Sequence, residues 1–310
     1  MMLHKLVTAM LLSLSLQASA GSAANETVSA IAVVDDSDQR VSLKQPARRI
    51  VSLAPHLTET LYAIGAGPSM VAAVSYSDYP AEANDLPRVG SYAKISLESL
   101  LAHKPDLVVA WSSGNGSDLI HRLRQLGLTV YVDESRSLRS VSAGMRRLSV
   151  LTGTIAQGMA AADRYDAKIA ALASQFSHQQ RLRVFYQVWN KPLITVNDEH
   201  LIADVIRLCG GANVFADAPG LVPRIGVESV LHAKPQVIVA SGMGEARPEW
   251  LDDWRRWPAI PAVANEQLYF VPPDLLQRHS PRIAEGAEQF CQALSRARQH
   301  YFAESQEPAS

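Results

Sequence analysis

The sequence predicts an α/β protein in which two Rossmann-like lobes with parallel sheets are joined by one long, rigid α-helix. Three observations predict it. Short β-branched runs alternate with segments of helical period, which is the order of a parallel sheet covered by helices. A stretch of 16 residues recurs 130 positions later, once in each half of the chain. Between the halves lies a segment without strand signal whose apolar residues fall at helical spacing.

Residues 1–20 read as a signal peptide rather than structure. Lys5 supplies the charged start, Leu6 to Leu16 the apolar run, and Ala18, Ser19 and Ala20 a small-residue cleavage signal. The apolar run is too short to span a bilayer, and no later run is long enough. No cysteine stands near the cleavage site to carry a lipid, so a periplasmic, unanchored chain is expected. After cleavage, 28 basic residues face 30 acidic ones, a net charge of −2. That near-neutral balance argues against nucleic acid or an anionic membrane as partner. With 47% hydrophobic residues, a mature chain of about 290 residues can bury one large core or two ordinary ones.

The elements follow in order. Residues 21–48 form an N-terminal extension read as an edge hairpin, with Val28 to Val34 and Arg40 to Leu43 flanking an aspartate-rich turn. The N-terminal lobe, residues 49–150, carries strands at Arg49 to Leu53, Val71 to Val74 and Leu107 to Ala110, with helices at Leu57 to Ile64 and Leu97 to His103. The connecting segment, residues 151–180, places Ile155, Met159, Ala162, Ile169, Leu172 and Phe176 at helical spacing. A helix from about Ala156 to Ser177 would be roughly 33 Å long. The C-terminal lobe, residues 181–300, repeats the pattern with strands at Val184 to Val188, Val237 to Ala240 and Leu268 to Pro272, and helices at Leu201 to Leu208 and Val227 to His232. Residues 301–310 read as a tail. The repeat aligns 95–110 with 225–240, and eight of the 16 positions are identical, among them Glu98 with Glu228, Lys104 with Lys234 and Pro105 with Pro235. Each half thus has a helix, a Lys-Pro stop and a buried strand. Generic convergence would match apolar positions; the alignment of charged residues and prolines favours two homologous lobes.

Cys209 and Cys291 are the two cysteines. In an exported chain an isolated pair reads as one disulfide, the alternative being two buried thiols. The bridge would staple one lobe only.

In open α/β sheets the ligand crevice lies beyond the carboxyl ends of the strands. Tyr76, Trp111 and Trp189 sit just past strand ends, although the chain holds only 20 aromatic residues. Together they suggest a cleft for a large planar ligand. The segment from Ser112 to Gly116 reads as pliable. Trp250, Trp254 and Trp257 read as a core-facing helix stripe instead. His56 and His279 could reach the cleft, yet the nine histidines show no metal-ligand spacing, so no metal is expected. No nucleophile elbow or phosphate loop is present, so no catalytic residue and no enzyme is expected. Glu98 and Glu228 hold matching places in the repeat, one acidic knob per lobe, suited to a two-fold partner with basic pockets.

Four motifs carry a resemblance: RIVSLAPHLTE at 49–59, YSDYP at 76–80, KPDLVVAW at 104–111 and LCGGANVF at 208–215. The chain resembles the helical-backbone class (class III) of periplasmic binding proteins, which serve importers of B12, haem and ferric siderophores. It is most similar to the cobalamin-binding branch, over about residues 48–296. The resemblance implies a carrier without chemistry of its own and without a cofactor, delivering cobalamin to the permease subunits of an ABC importer. It implies ligand contacts from Tyr76 and from Asp274, Leu275, Leu276, Gln277 and Arg278, with Tyr92, Trp111 and Trp189 in the same cleft. It also implies docking through Glu98 and Glu228, a Cys209–Cys291 bridge and a monomer. Tyr92, Val222 and Leu275 stand where that branch carries tryptophan, and Gln277 where it carries glutamate. A haem carrier, with Tyr76 or a cleft histidine on the iron, is the nearest alternative. A ferric-siderophore carrier would want several cleft cations, of which only Arg278 and Arg224 are placed. An exported enzyme on the same fold is the distant one.

Overall fold

In the computed structural model, residues 31–242, 244 and 246–302 are described. The signal segment at 1–20 and most of the tail lie outside them. Strands β1 (Ile31–Val34) and β2 (Arg40–Leu43) pair antiparallel as a hairpin. Its turn is held by the Asp35 carboxylate, whose Oδ1 accepts the Ser37 and Gln39 amides at 2.9 and 3.0 Å. The same carboxylate reaches outward: Oδ2 accepts the Val132 amide at 3.0 Å.

The first lobe runs through β3 (Ile50–Ser52), α1 (Pro55–Ala63), β4 (Met70–Ala73), a small ladder of β5 (Gly90–Ser91) with β6 (Lys94–Ile95), and α2 (Leu97–Ala102). It continues with β7 (Leu107–Trp111), α3 (Ser112–Asn115), α4 (Ser117–Gln125) and β8 (Val130–Asp133). The sheet has the order β4-β3-β7-β8 with every pair parallel. Its inner strands are buried on both faces, which explains their continuous apolar runs. Sequence reading assigned no strand to Val130–Asp133, whose alternating Tyr131 and Asp133 broke the apolar run.

Two helices, not one, separate the sheets. Helix α5 (Leu138–Thr152) opens with a reciprocal Ser137/Ser140 capping box and stops at Gly153, whose φ of 71° suits glycine. Helix α6 (Ile155–Phe176) is the expected connector, shifted by one residue at each end. The stripe expected from spacing is partly wrong: Ile155 and Met159 are exposed, and the buried face runs through Gly158, Ala161, Ala162, Tyr165, Leu172 and Phe176. The reason is a close helix–helix approach. A Cβ on Gly158 would lie 2.2 Å from the Ser149 Cβ of α5, so small residues, not large apolar ones, mark the contact.

The second lobe holds β9 (Leu182–Gln187), a short hairpin of β10 (Trp189–Asn190) and β11 (Leu193–Ile194), α7 (Leu201–Leu208), β12 (Gly211–Asn213), α8 (Val227–Ala233) and β13 (Val237–Ala240). After a 3-10 segment at Glu249–Arg256 come α9 (Pro261–Ala264), β14 (Leu268–Phe270), α10 (Pro273–Leu276) and α11 (Ile283–Phe302). The order β12-β9-β13-β14, again parallel, matches the first sheet strand for strand. The repeat extends to backbone angles. Lys104 and Lys234 both adopt φ 44°, an uncommon left-handed turn for a side-chain-bearing residue, before the proline that bars the helix from continuing.

Of the tryptophan stripe, Trp254 is buried, while Trp250 and Trp257 are partly covered, on a 3-10 segment rather than an α-helix. Cys209, capping α7, is bonded to Cys291 of α11. Arg298 of α11 donates to the Cys209 and Gly210 carbonyls at that helix end, where a cation meets the negative end of the dipole. The boundary expected at residue 300 is not a break, because α11 runs on to Phe302 and the Tyr301 hydroxyl donates to the Gln236 carbonyl at 2.9 Å.

One apolar core runs through both lobes. It joins Ile50 and Leu107 of the first sheet to Val184 and Val239 of the second by way of Met145, Ala162, Leu172 and Phe290. Two smaller clusters lie under the outer faces of the two sheets.

Candidate ligand-binding site

A cavity of about 490 Å³ opens between the carboxyl ends of the two sheets. Its first-lobe wall is Trp111, the last residue of β7, beside Tyr92, with ring centroids 5.7 Å apart. The wall is fixed from behind. Asn115 accepts the Trp111 amide at 2.7 Å and donates to the Leu53 and Tyr92 carbonyls at 3.0 and 2.8 Å. One amide side chain therefore ties three strand-end loops together. The indole lies over Gly114, where a Cβ would fall 1.9 Å from the ring. The segment expected to be pliable is a short helix clamped by its own asparagine.

Deeper in the cleft three imidazoles converge. His56, at the start of α1, meets Trp111 edge-on at 5.2 Å and His279 at 6.2 Å; His279 meets His200 at 5.1 Å. His200 caps α7, its Nδ1 accepting the Ile202 amide at 3.1 Å. Burial, with the neighbouring His279 and Arg278, pushes His56 down to about 3. Burial and His279 likewise hold His200 at about 3. His279 lies at about 4, lowered by burial and partly restored by a hydrogen bond to the Ser135 main chain. All three are neutral at neutral pH. Asp133 approaches His56 Nε2 at 3.9 Å, but burial and the charge of Asp36 push Asp133 up to about 7. A neutral imidazole beside a half-protonated carboxyl is not an ion pair.

Beside the cleft an ionic cluster crosses between the lobes. Arg278 donates to Glu59 of α1 at 2.8 Å and to Asp78 at 2.7 Å, and pairs with Asp274 at 3.1 Å. Ser280 donates to Glu59 at 2.5 Å, Arg282 lies 3.3 Å from the same carboxylate, and its guanidinium stacks on Tyr79 at 3.9 Å. Glu59 is 3% exposed; burial raises its pKa while the serine and arginines oppose the rise. Burial works against the Arg278 charge, but its bonds to Asp78 and Glu59 outweigh this and raise its pKa.

Of the expected contacts, the structure brings Tyr92, Trp111 and Gln277 to the cavity, together with Val222 and His279. The others lie outside its lining. Tyr76 is 73% exposed and outside the cavity lining, and Trp189 turns to Trp250, with ring centroids 6.3 Å apart. Leu275 and Leu276 are buried under α11, which presents Gly286 to the Leu275 carbonyl. Asp274 and Arg278 are engaged in the ionic cluster, as is Asp78 of the YSDYP motif. Sequence reading missed His200, Glu134, Ser135 and Arg136, which line the cavity. Recognising β8 would have pointed to the last three, which follow its carboxyl end. Glu98 and Glu228 stand exposed in the first turns of α2 and α8, one per lobe, and neither forms an ion pair among the described residues. No helix among the described residues is long and apolar enough to cross a membrane.

Residues 50–275 match the family model described as periplasmic binding protein. The chain belongs to this family. This periplasmic binding protein is 39% identical to the vitamin B12-binding protein of Vibrio cholerae, over 80% of its own length and 90% of the relative's. It is 34% identical to the vitamin B12-binding protein of Yersinia pestis, over 81% and 88%. The crystal structure of the periplasmic vitamin B12 binding protein of Vibrio cholerae superposes with a TM-score of 0.76 at 38% identity, covering 82% of this chain and 99% of that one. The periplasmic haem-binding protein of Roseiflexus shares the fold at 22% identity and a TM-score of 0.70, covering 81% and 99%. These relatives place the binding protein among carriers rather than enzymes at the level of the family.

Proposed function

We propose that this periplasmic binding protein captures cobalamin between its lobes and delivers it to the permease subunits of an ABC importer. The observation that carries this reading is the 39% identity with a vitamin B12-binding protein over four-fifths of the chain. The aromatic wall of Trp111 and Tyr92 supports it, offering a large planar ligand a rigid apolar face. The chain acts without chemistry of its own and needs no cofactor. Residues 1–20 direct export to the periplasm, where the protein works as an unanchored monomer. Glu98 and Glu228 dock onto the transporter, and Tyr92, Trp111, Val222 and Gln277 contact the ligand.

Calorimetric titration of the purified protein with cyanocobalamin tests the reading. Saturable one-to-one binding is expected, and no binding at micromolar ligand would sink it. A Soret shift on adding haemin, without cyanocobalamin binding, would install haem as the ligand instead. N-terminal sequencing of protein released by osmotic shock should begin at residue 21; a chain retaining Met1 would contradict export by cleavage.

A further inference from the structure

The three cleft imidazoles differ in what their nitrogens can offer. His56 Nε2 is buried without a hydrogen-bond partner, and the residue is not part of the cavity lining. His200 uses Nδ1 as the acceptor for the Ile202 amide, so its proton must sit on Nε2 and no lone pair is left. His279 stands between them and lines the cavity. Ser135 lines the same cavity beside it. An imidazole coordinates a metal through one nitrogen while a neighbouring acceptor orients the other, and the Ser135 main chain is the neighbour for that second role.

Among the described residues no group of three or more His, Cys, Asp or Glu side chains could hold a metal ion. A lone imidazole facing a cavity therefore suits only a metal that arrives already chelated and lacks one axial partner.

We propose that His279 is an axial ligand to the metal of the bound macrocycle, taking the exchangeable position of a cobalamin that carries water there. The claim rests on the cobalamin reading and adds a contact which that reading does not require. In the step, one cobalt–oxygen bond breaks, one cobalt–nitrogen bond forms, and neutral water leaves. No electron or proton changes hands. The cleft would then sort corrinoids by their axial group: aquocobalamin gains a bond that cyanocobalamin, with cyanide already in place, cannot.

The experiment is absorption spectroscopy of complexes isolated by gel filtration. With aquocobalamin, the wild-type complex should show the corrinoid bands shifted toward those the free compound gives in excess imidazole. With cyanocobalamin no shift should appear. His279→Gln, confirmed as folded by circular dichroism and loaded with aquocobalamin to saturation, should lose the shift, while His200→Gln should keep it. Co-elution of aquocobalamin with the wild type and an unshifted spectrum would overturn the coordination and leave the carrier reading standing. A shift kept by His279→Gln and lost in His200→Gln would overturn the assignment to His279. If neither corrinoid co-elutes, the carrier reading fails and the coordination falls with it.

Discussion

Gly114 and Trp111 illustrate how little room single residues have in this cleft. A methyl group at Gly114 would strike the indole, so Gly114→Ala should tilt the aromatic wall. We expect ligand affinity to fall at least tenfold, about 1.4 kcal/mol, with little change in melting temperature. Calorimetry beside a thermal melt checks both. Arg278→Ala would leave Glu59 buried with Arg282 and Ser280 as its remaining partners. Stripping one partner from a fully buried pair costs about 3–5 kcal/mol, so with those two retained we expect roughly 2 kcal/mol by urea unfolding. The histidines give the fold an acid limit. Each has a folded pKa below the ordinary imidazole value of 6.5, so the unfolded chain takes up protons first as pH falls. Their contribution is full above about pH 6.5 and is lost on the way down through about pH 4 for His279 and about pH 3 for His56 and His200. Asp133, raised from 3.8 to about 7, works the other way and returns one proton's worth, and Glu59 adds to that return. His279, which still meets the cavity, contributes least. The net slope near pH 5 should be roughly 1–3 kcal/mol per pH unit, and His56→Gln should flatten it in melts at pH 7 and pH 5. Trp111 and Gln277 were legible from sequence because a strand end predicts a crevice. His200 was not, because nothing in a helix-capping histidine says what stands opposite it.

At the level of elements, the 130-residue repeat was legible as helix, Lys-Pro stop and strand, and it reappears as α2–β7 and α8–β13 with matching φ at both lysines. Helix α5 escaped notice because Ser137 to Thr152 mixes serines and arginines with its apolar residues, and β8 because Tyr131 and Asp133 interrupt its run. The matching helices raise Glu98 and Glu228 to equivalent exposed positions. Glu98→Lys with Glu228→Lys should abolish transporter-coupled uptake while leaving cyanocobalamin affinity unchanged. A fall in affinity would move both residues from docking to binding. The Cys209–Cys291 bridge closes a loop of 82 residues between α7 and α11. Chain entropy assigns it about 4–5 kcal/mol, so the double Cys→Ser variant should lose up to that amount in denaturant unfolding. A loss under about 1 kcal/mol would mean that residual structure in the unfolded chain already holds the two segments together.

Across the whole molecule, the shared core decides how the lobes can move. The apolar cluster passes from one sheet to the other through α5, α6 and α11, and the Arg278 cluster ties the lobes again beside the cleft. Each buried leucine or phenylalanine exposed by wide opening would cost roughly 1.5–3 kcal/mol. Ligand binding should therefore change the radius of gyration by less than about 1 Å in small-angle scattering, against the larger closure of flexibly hinged proteins. Two lobes and a connecting helix could be read from sequence; a single core running through them could not, since it depends on which helix faces meet. The N-terminal hairpin carries one more consequence. Asp35 and Asp36 support the Val132 and Glu134 amides at sequence separations of 97 and 98 residues, and Asp36 pairs with Arg147 at 111. Chains are made from the N-terminus, so β1 and β2 must wait for about a third of the protein to appear before they can lock. The β8 side of the cleft is thus among the last parts of its lobe to set, and a nascent chain halted short of β8 would carry the hairpin as an open, sticky edge.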